Sequence, residues 1–209
     1  MKRHTLAIAG LALGCGDREP TQQSPLVDPS IAEAHSPRHL GISLAVVPAA
    51  IPDYGQLDAA SASGTAGALK LSVDASGAIT RFPDDFVGSV AVFGYAWVDT
   101  ETGRGVVAVI HPAIGRDSRQ NPDGWHSHPV LLAAGTASST FCLVGIGGSQ
   151  GGISIKDDVL DLNIALGQAD IQASALDVVA AFVVAGDAGC PELAPGIRLG
   201  VQVLDVEGL

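Results

Sequence analysis

The stretch from Leu160 to Leu166 reads LDLNIAL, with an apolar residue at every second position. Successive side chains of a β-strand point to opposite faces, so this alternation is typical of a strand with one buried and one solvated face. The stretch from Leu199 to Val203 reads LGVQV and follows the same pattern. We therefore predict a β-strand at each place, in an antiparallel sheet that covers a core with one face.

Short segments rich in Val, Ile and Leu recur along the chain from Gly41, separated by clusters of Gly, Asp, Asn, Ser and Pro. Strands at this spacing predict an all-β domain, an antiparallel β-sandwich of the Ig-like or jelly-roll-like kind. The predicted strands are Ile42–Val47, Ala68–Val73, Val87–Val98, Gly105–His111, Pro129–Ala133, Thr140–Ile146, Gly152–Ile155, Val159–Leu166, Leu176–Val184 and Ile197–Val206.

Three further segments of the sequence carry information about local structure. The alanines of Ala173–Gly186 permit a helix, whereas its valines favour a strand. Thr100–Arg104 has the composition of a hairpin turn, with Gly103 available for a positive φ. The glycine-rich stretch Gly145–Gly152 lacks the Lys and Ser or Thr of a phosphate-binding loop, so we interpret it as a turn.

The N-terminus has the pattern of an export signal. Two basic residues, Lys2 and Arg3, precede the apolar run Thr5–Leu13, which is far shorter than the roughly 20 residues of a membrane-spanning helix. The segment Leu11–Cys15 resembles the lipobox of bacterial lipoproteins. That resemblance implies removal of residues 1–14, lipidation of Cys15 and a lipid anchor in the bacterial cell envelope, at the outer membrane or cell surface.

Residues 15–40 are expected to form a disordered tether between this anchor and a folded domain at residues 41–209. The tether is polar, interrupted by prolines, and without a sustained apolar period. His35 and His39 have the spacing of neighbours on a helix face, but Pro37 lies between them and opposes a regular helix. We interpret both as solvated histidines.

The remaining cysteines, Cys142 and Cys190, form an even pair once Cys15 carries a lipid. In an exported protein such a pair predicts a disulfide, with two separate buried thiols as the alternative. On the chain-entropy model, a bridge over about fifty residues stabilises the fold by ~4 kcal/mol. Neither cysteine has a histidine near it in sequence, so a nucleophilic thiol is not predicted.

The charge balance excludes one class of partner. Eleven Lys and Arg residues against 22 Asp and Glu residues give a formal net charge of −11. Nucleic-acid binding depends on cationic side chains that neutralise phosphates, so we expect no nucleic-acid partner.

The stretch Gly124–His128, GWHSH, is the best candidate for chemistry. In a strand, His126 and His128 point to the same side and can present two imidazoles to one metal ion. His111 ends another predicted strand, and if that strand is the neighbour, a third imidazole joins them. Three imidazoles with an open position suit zinc or copper.

The same five residues are similar to the Gly-aromatic-His-x-His stretch of copper–zinc superoxide dismutases. That resemblance implies that His126 and His128 are copper ligands in an exported, disulfide-bearing β-sandwich. No histidine follows His128, whereas that family places its other metal ligands downstream, so the resemblance does not extend to dismutase activity.

Other interpretations stay open. The histidines can instead cap a strand and bond to loop carbonyls, and Asp117, Asn121 and Asp123 offer oxygen ligands for calcium, although Asn-Pro-Asp-Gly is first of all a turn. No Gly-x-Ser-x-Gly elbow is present, so a hydrolase triad would have no sequence signature. The weak catalytic signal favours a protein without enzymatic activity and leaves an enzyme as an open alternative. The sequence favours a lipid-anchored binding or structural module of unknown ligand, with a copper- or zinc-binding protein as the alternative.

Overall fold

The computed structural model describes residues 50–65, 67–112, 124–165, 168 and 171–209. In these ranges the chain forms one short α-helix, α1 (Asp85–Val90), and two 3-10 turns, Asp53–Gly55 and Ala173–Ala175. The strands are β1 (Leu57–Thr65), β2 (Ala68–Ala75), β3 (Phe93–Val98), β4 (Arg104–Ile110), β5 (His126–Ala134), β6 (Phe141–Ile146), β7 (Gly152–Lys156), β8 (Val159–Ala165), β9 (Val178–Gly186) and β10 (Leu199–Gly208).

The strands form two antiparallel sheets, which confirms the all-β prediction. Four strands form one sheet in the order β1-β2-β8-β7, and six close into a barrel in the order β10-β6-β5-β4-β3-β9. The closed barrel distinguishes this fold from the predicted β-sandwich, whose two sheets are both open. Closure occurs because β10 pairs with β9 along most of its length and also with β6 through Leu199, Gly200 and Val201.

Two hydrophobic cores result from the alternation of side chains along the barrel strands. In β3, Phe93, Tyr95 and Trp97 pack against the four-stranded sheet, whereas Ala96 and Val98 face the barrel interior. Most barrel residues on these two faces are buried, so β3, β4 and β9 read as nearly continuous apolar runs. The barrel therefore packs against the four-stranded sheet as one layer of a sandwich, and it also encloses a second core in its interior.

Strand β8, which covers most of the stretch LDLNIAL, confirms the predicted alternation. Leu160, Leu162 and Ile164 are fully buried in the core between barrel and sheet, whereas Asp161 and Asn163 are exposed. The strand pairs with β2 on one side and β7 on the other. Its polar residues consequently face solvent on the outside of the sheet.

The segment Val87–Val98 is not a continuous strand, contrary to the prediction. Its first residues belong to helix α1, because the Asp84 carboxylate accepts a hydrogen bond from the Val87 amide at 2.9 Å and caps a helical turn. The ambiguous segment after Ala173 begins with a 3-10 turn and continues as strand β9. Its valines therefore determine most of its conformation.

Two local predictions are confirmed. Cys142 and Cys190 form a disulfide with Cα atoms 5.4 Å apart. The hairpin between β3 and β4 turns at Gly103, whose φ is +70°. A Cβ there would collide with the carbonyl of Leu132, so this position requires glycine.

Several predictions lie outside the described residues: the export signal, Cys15, the tether, the strand Ile42–Val47, and the calcium candidates Asp117, Asn121 and Asp123. Across the described ranges, no helix has the length and apolar character needed to span a membrane.

Candidate metal site

The three candidate histidines lie on β5 and directly after the adjacent barrel strand β4. In the antiparallel register of β4 and β5, His128 is opposite Val107 and His126 is opposite Val109. Both valines belong to the barrel-interior core, and directly paired residues share a face of the sheet. His111 follows the last residue of β4 with the same alternation, so all three imidazoles belong to the interior face.

All three histidines are buried: His111 and His126 are 3% exposed and His128 is fully buried. Removal of an imidazole from water requires hydrogen-bond partners for its ring nitrogens. The arrangement of these partners determines what the cluster can bind.

Trp125 sets the start of β5 and thereby the direction of His126. Its side chain lies on the opposite face, where its ring stacks on Tyr95 at 5.5 Å between centroids and its Nε1–H donates to the Thr80 carbonyl at 2.7 Å. Burial raises the pKa of Tyr95, whose hydroxyl donates to the Tyr54 carbonyl at 2.6 Å. Because alternate residues point to opposite faces, this anchored indole turns His126 inward.

Each Nδ1 atom of the cluster contacts a backbone carbonyl oxygen. The Nδ1 of His111 lies 2.9 Å from the Pro112 oxygen, and the Nδ1 of His128 lies 2.8 Å from the Gly147 oxygen. The Nδ1 of His126 lies 3.1 Å from the oxygen of Gly124. A carbonyl only accepts hydrogen bonds, so each Nδ1 carries the hydrogen and each neutral ring has its lone pair on Nε2.

Two of these Nε2 atoms face each other. The Nε2 atoms of His111 and His126 are 3.1 Å apart, with ring centroids 4.7 Å apart and ring planes at 87°. Two lone pairs at this distance repel unless a proton or a metal ion lies between them. Two nitrogens bound to one tetrahedral zinc at ~2.0–2.1 Å are about 3.3 Å apart, so the observed spacing is close to that of a ligand pair.

His128 lies beside this pair. Its ring centroid is 5.0 Å from that of His126, with the planes again at 87°. Among the described residues, no group of three or more His, Cys, Asp or Glu side chains is already arranged around a common metal position. The preformed part of the candidate site is therefore the His111–His126 pair, and His128 is the adjacent imidazole.

The glycine-rich segment after β6 supports the cluster from outside. The amide of Gly147 donates to the Pro129 carbonyl at 2.8 Å, and the Gln150 amide donates to the Ser127 carbonyl at 3.2 Å. The Ser127 hydroxyl in turn donates to the Gln150 carbonyl. These bonds fix the segment against β5 and hold the Gly147 oxygen against the His128 ring.

An apolar cavity of about 50 Å³ lies inside the barrel next to the histidines. Its polar lining residues are His111 and His128, and the others are aliphatic or aromatic. The contacts with the carbonyls of Pro112, Gly124 and Gly147 agree with the alternative interpretation from sequence, in which the histidines bond to loop carbonyls that it did not name. The cavity was not predicted. Backbone acceptors have no signature in the sequence, and the cavity depends on how the barrel closes.

The arrangement can hold a metal ion through imidazole nitrogens, or share one proton between two imidazoles. Cys142 and Cys190 are oxidised to a disulfide and supply no thiolate. No known protein family, curated protein or solved structure matches this chain.

Proposed function

We propose that this chain is an exported, lipid-anchored binding module of the bacterial cell envelope whose barrel binds a copper or zinc ion. His111 and His126 are the first two ligands, and His128 is the third. The observation that carries this proposal is the 3.1 Å separation of the His111 and His126 Nε2 atoms while both Nδ1 atoms contact carbonyl oxygens.

The contacts around the rings support a metal ion as the ligand. Histidines that bind metals usually donate their other ring N–H to a carbonyl or carboxylate, which fixes the tautomer and ring orientation. All three histidines have such a carbonyl contact. A proton shared by the two Nε2 atoms would form one hydrogen bond between them, whereas a metal ion would form a bond with each.

The donor atoms favour borderline metals over hard ones. Imidazole nitrogen is a common ligand of zinc and copper, whereas calcium and magnesium require oxygen ligands. Among the residues that the structure describes, the cavity beside the histidines is lined by hydrocarbon and imidazole groups, with no carboxylate. Three imidazoles would leave a fourth position of the ion open to an added ligand.

The location part of the proposal is supported by the lipobox-like segment ending at Cys15 and by the disulfide, which is typical of oxidising compartments. The acidic surface, with a net charge of −11, raises the local concentration of cations. These features suit a module that binds a metal outside the cytoplasm.

The test is metal content of the full chain, purified in detergent without a histidine tag. After incubation with Zn²⁺ or Cu²⁺ and desalting, we expect one ion per chain by elemental analysis. The His126→Ala variant should lose that ion, whereas the control His39→Ala, which removes a histidine of the tether, should keep it. Equal metal content in wild type and His126→Ala would overturn the proposal.

A further inference from the structure

The barrel cavity begins at the imidazoles. His111 and His128 line it, whereas His126 does not, so the cavity lies to one side of the cluster. Strand β3 contributes Ala96 and strand β9 contributes Phe182 to its wall. An ion bound by the three Nε2 atoms would stand at the polar end of an otherwise apolar chamber.

The size of the cavity restricts what fits. A cavity that holds benzene measures on the order of 150 Å³, and one water requires roughly 10–15 Å³ by the same measure. The cavity here, at about 50 Å³, lies between these limits. It has room for a molecule of about two heavy atoms, but not for an amino acid, a sugar or a nucleotide.

The lining restricts the polarity of the occupant. Apart from the two imidazoles, the described part of the wall consists of Val, Ala, Leu, Ile and Phe side chains. A buried water needs two to four polar partners, and a buried ion without partners costs several kcal/mol or more. An uncharged molecule with little hydrogen-bonding capacity is therefore the favoured occupant.

We infer that the barrel is a binding site for a small uncharged diatomic molecule, which occupies the cavity and completes the coordination of the metal. This inference rests on the proposed metal site. The chemical class comprises carbon monoxide, nitric oxide and dioxygen, which share two heavy atoms, no charge and affinity for reduced copper. The histidines hold the ion, and the apolar wall excludes larger and charged ligands.

The probe for this inference is carbon monoxide on the Cu(I)-loaded full chain, with copper content measured on the same sample. In the wild type we expect one copper per chain and an infrared band of copper-bound carbon monoxide. Ala96 lines the cavity, so Ala96→Leu should fill it and reduce the band at least tenfold at unchanged copper content. The control Ala59→Leu adds the same carbons at an exposed position of β1 and should retain the band.

Ala96→Val fills less of the cavity and replaces Ala96→Leu in the experiment if Ala96→Leu does not fold. We expect it to lose part of the carbon monoxide band. Copper bound without a carbon monoxide band would overturn the inference and leave the metal proposal intact. An undiminished carbon monoxide band in the folded Ala96 variants would also overturn the inference and leave the metal proposal intact. Absence of both copper and zinc from the loaded wild type would overturn the metal proposal, and the inference with it. Zinc binding without copper binding would overturn the inference alone.

Discussion

The Nε2 atoms of His111 and His126 face each other at 3.1 Å inside the barrel, although His111 follows the end of β4 and His126 begins β5. Their Nδ1 atoms are held by the carbonyls of Pro112 and Gly124, at the two ends of the connection between β4 and β5. The same backbone segments that begin and end this connection thus orient both rings. The predictions below test this arrangement and the fold that supports it.

Zinc should raise the thermal stability of the wild type. A ligand that binds only the native state at 100 times its Kd stabilises it by ~2.7 kcal/mol, which for a domain of this size is a Tm increase of about 5–10 °C. In His128→Ala the increase should largely disappear, because one imidazole ligand is missing. The measurement is calorimetry with zinc and with a chelator. An equal loss of Tm under both conditions would identify His128 as a purely structural residue.

Gly94→Ala should destabilise the barrel by about 1–3 kcal/mol through overpacking. A Cβ at this position of β3 would collide with the backbone carbonyl oxygen of Ala108, and would lie 2.8 Å from Cγ1 of Val109 and 3.1 Å from the Phe182 ring. The urea midpoint should fall at constant m-value. Gly88→Ala is the control, because its Cβ meets nothing within 4 Å in helix α1, and it should be neutral or stabilising. Equal midpoints for the two variants would contradict the packing described.

Asp187 should contribute stability that is lost in acid. Hydrogen bonds from the hydroxyls of Ser139 and Thr136, both at 2.6 Å, and from the Gly189 amide at 2.8 Å lower the pKa of its carboxyl group. The unfolded chain therefore binds the proton more readily, so the contribution is complete above the unfolded pKa of about 3.9 and disappears as the pH falls through the lower folded pKa.

The Asp187 prediction is measured by urea unfolding of wild type and Asp187→Asn between neutral pH and pH 2.5. The wild type should be the more stable protein at neutral pH, and the difference should shrink below about pH 4. A difference that stays constant across this range would show that the charge of Asp187 has no part in it.

Removal of the disulfide should cost up to ~4 kcal/mol on the chain-entropy model. The bridge joins β6 to the connection between β9 and β10, whose residues Leu193 and Ile197 are buried in the barrel-interior core. The double variant Cys142→Ser with Cys190→Ser should unfold at lower urea concentration than the oxidised wild type. Reductant should shift the wild type toward the variant and leave the variant unchanged; a shift in the variant would exclude the bridge as the cause.

Cys15→Ser should release the chain from membranes into the soluble fraction without a change in fold. The expected reason is loss of the thiol that receives the lipid. Detergent partitioning and circular dichroism of the two proteins measure the outcome. Identical partitioning of wild type and variant would contradict the lipid anchor.

The alternation of Leu160, Leu162 and Ile164 was enough to predict strand β8 and its buried face, because a period of two is a local property. Helix α1 escaped prediction, since Val87 and Val90 favour strands and the deciding contact is the cap from the Asp84 side chain. Barrel closure could not be predicted because β9 pairs with β3, far away in sequence.

For the candidate site, periodicity was sufficient to place His126 and His128 on one face. A third imidazole from His111 depended on the condition that its strand is the neighbour, and β4 does pair with β5. The convergence of the Nε2 atoms was not predictable in detail. It depends on carbonyl oxygens, including that of Gly147, whose positions follow from the path of the backbone and not from side-chain identity.

Strands β4 and β5 have hydrogen-bonded neighbours on both sides, because the barrel has no free edge at either of them. Local unfolding of an edge strand, which opens a sheet at low free-energy cost, therefore cannot occur at β4 or β5. In kinetic terms, fraying of β4 or β5 would not release the ion proposed between His111 and His126. If the proposal is correct, we expect long residence times, as in a metal store, rather than rapid transfer to a second carrier.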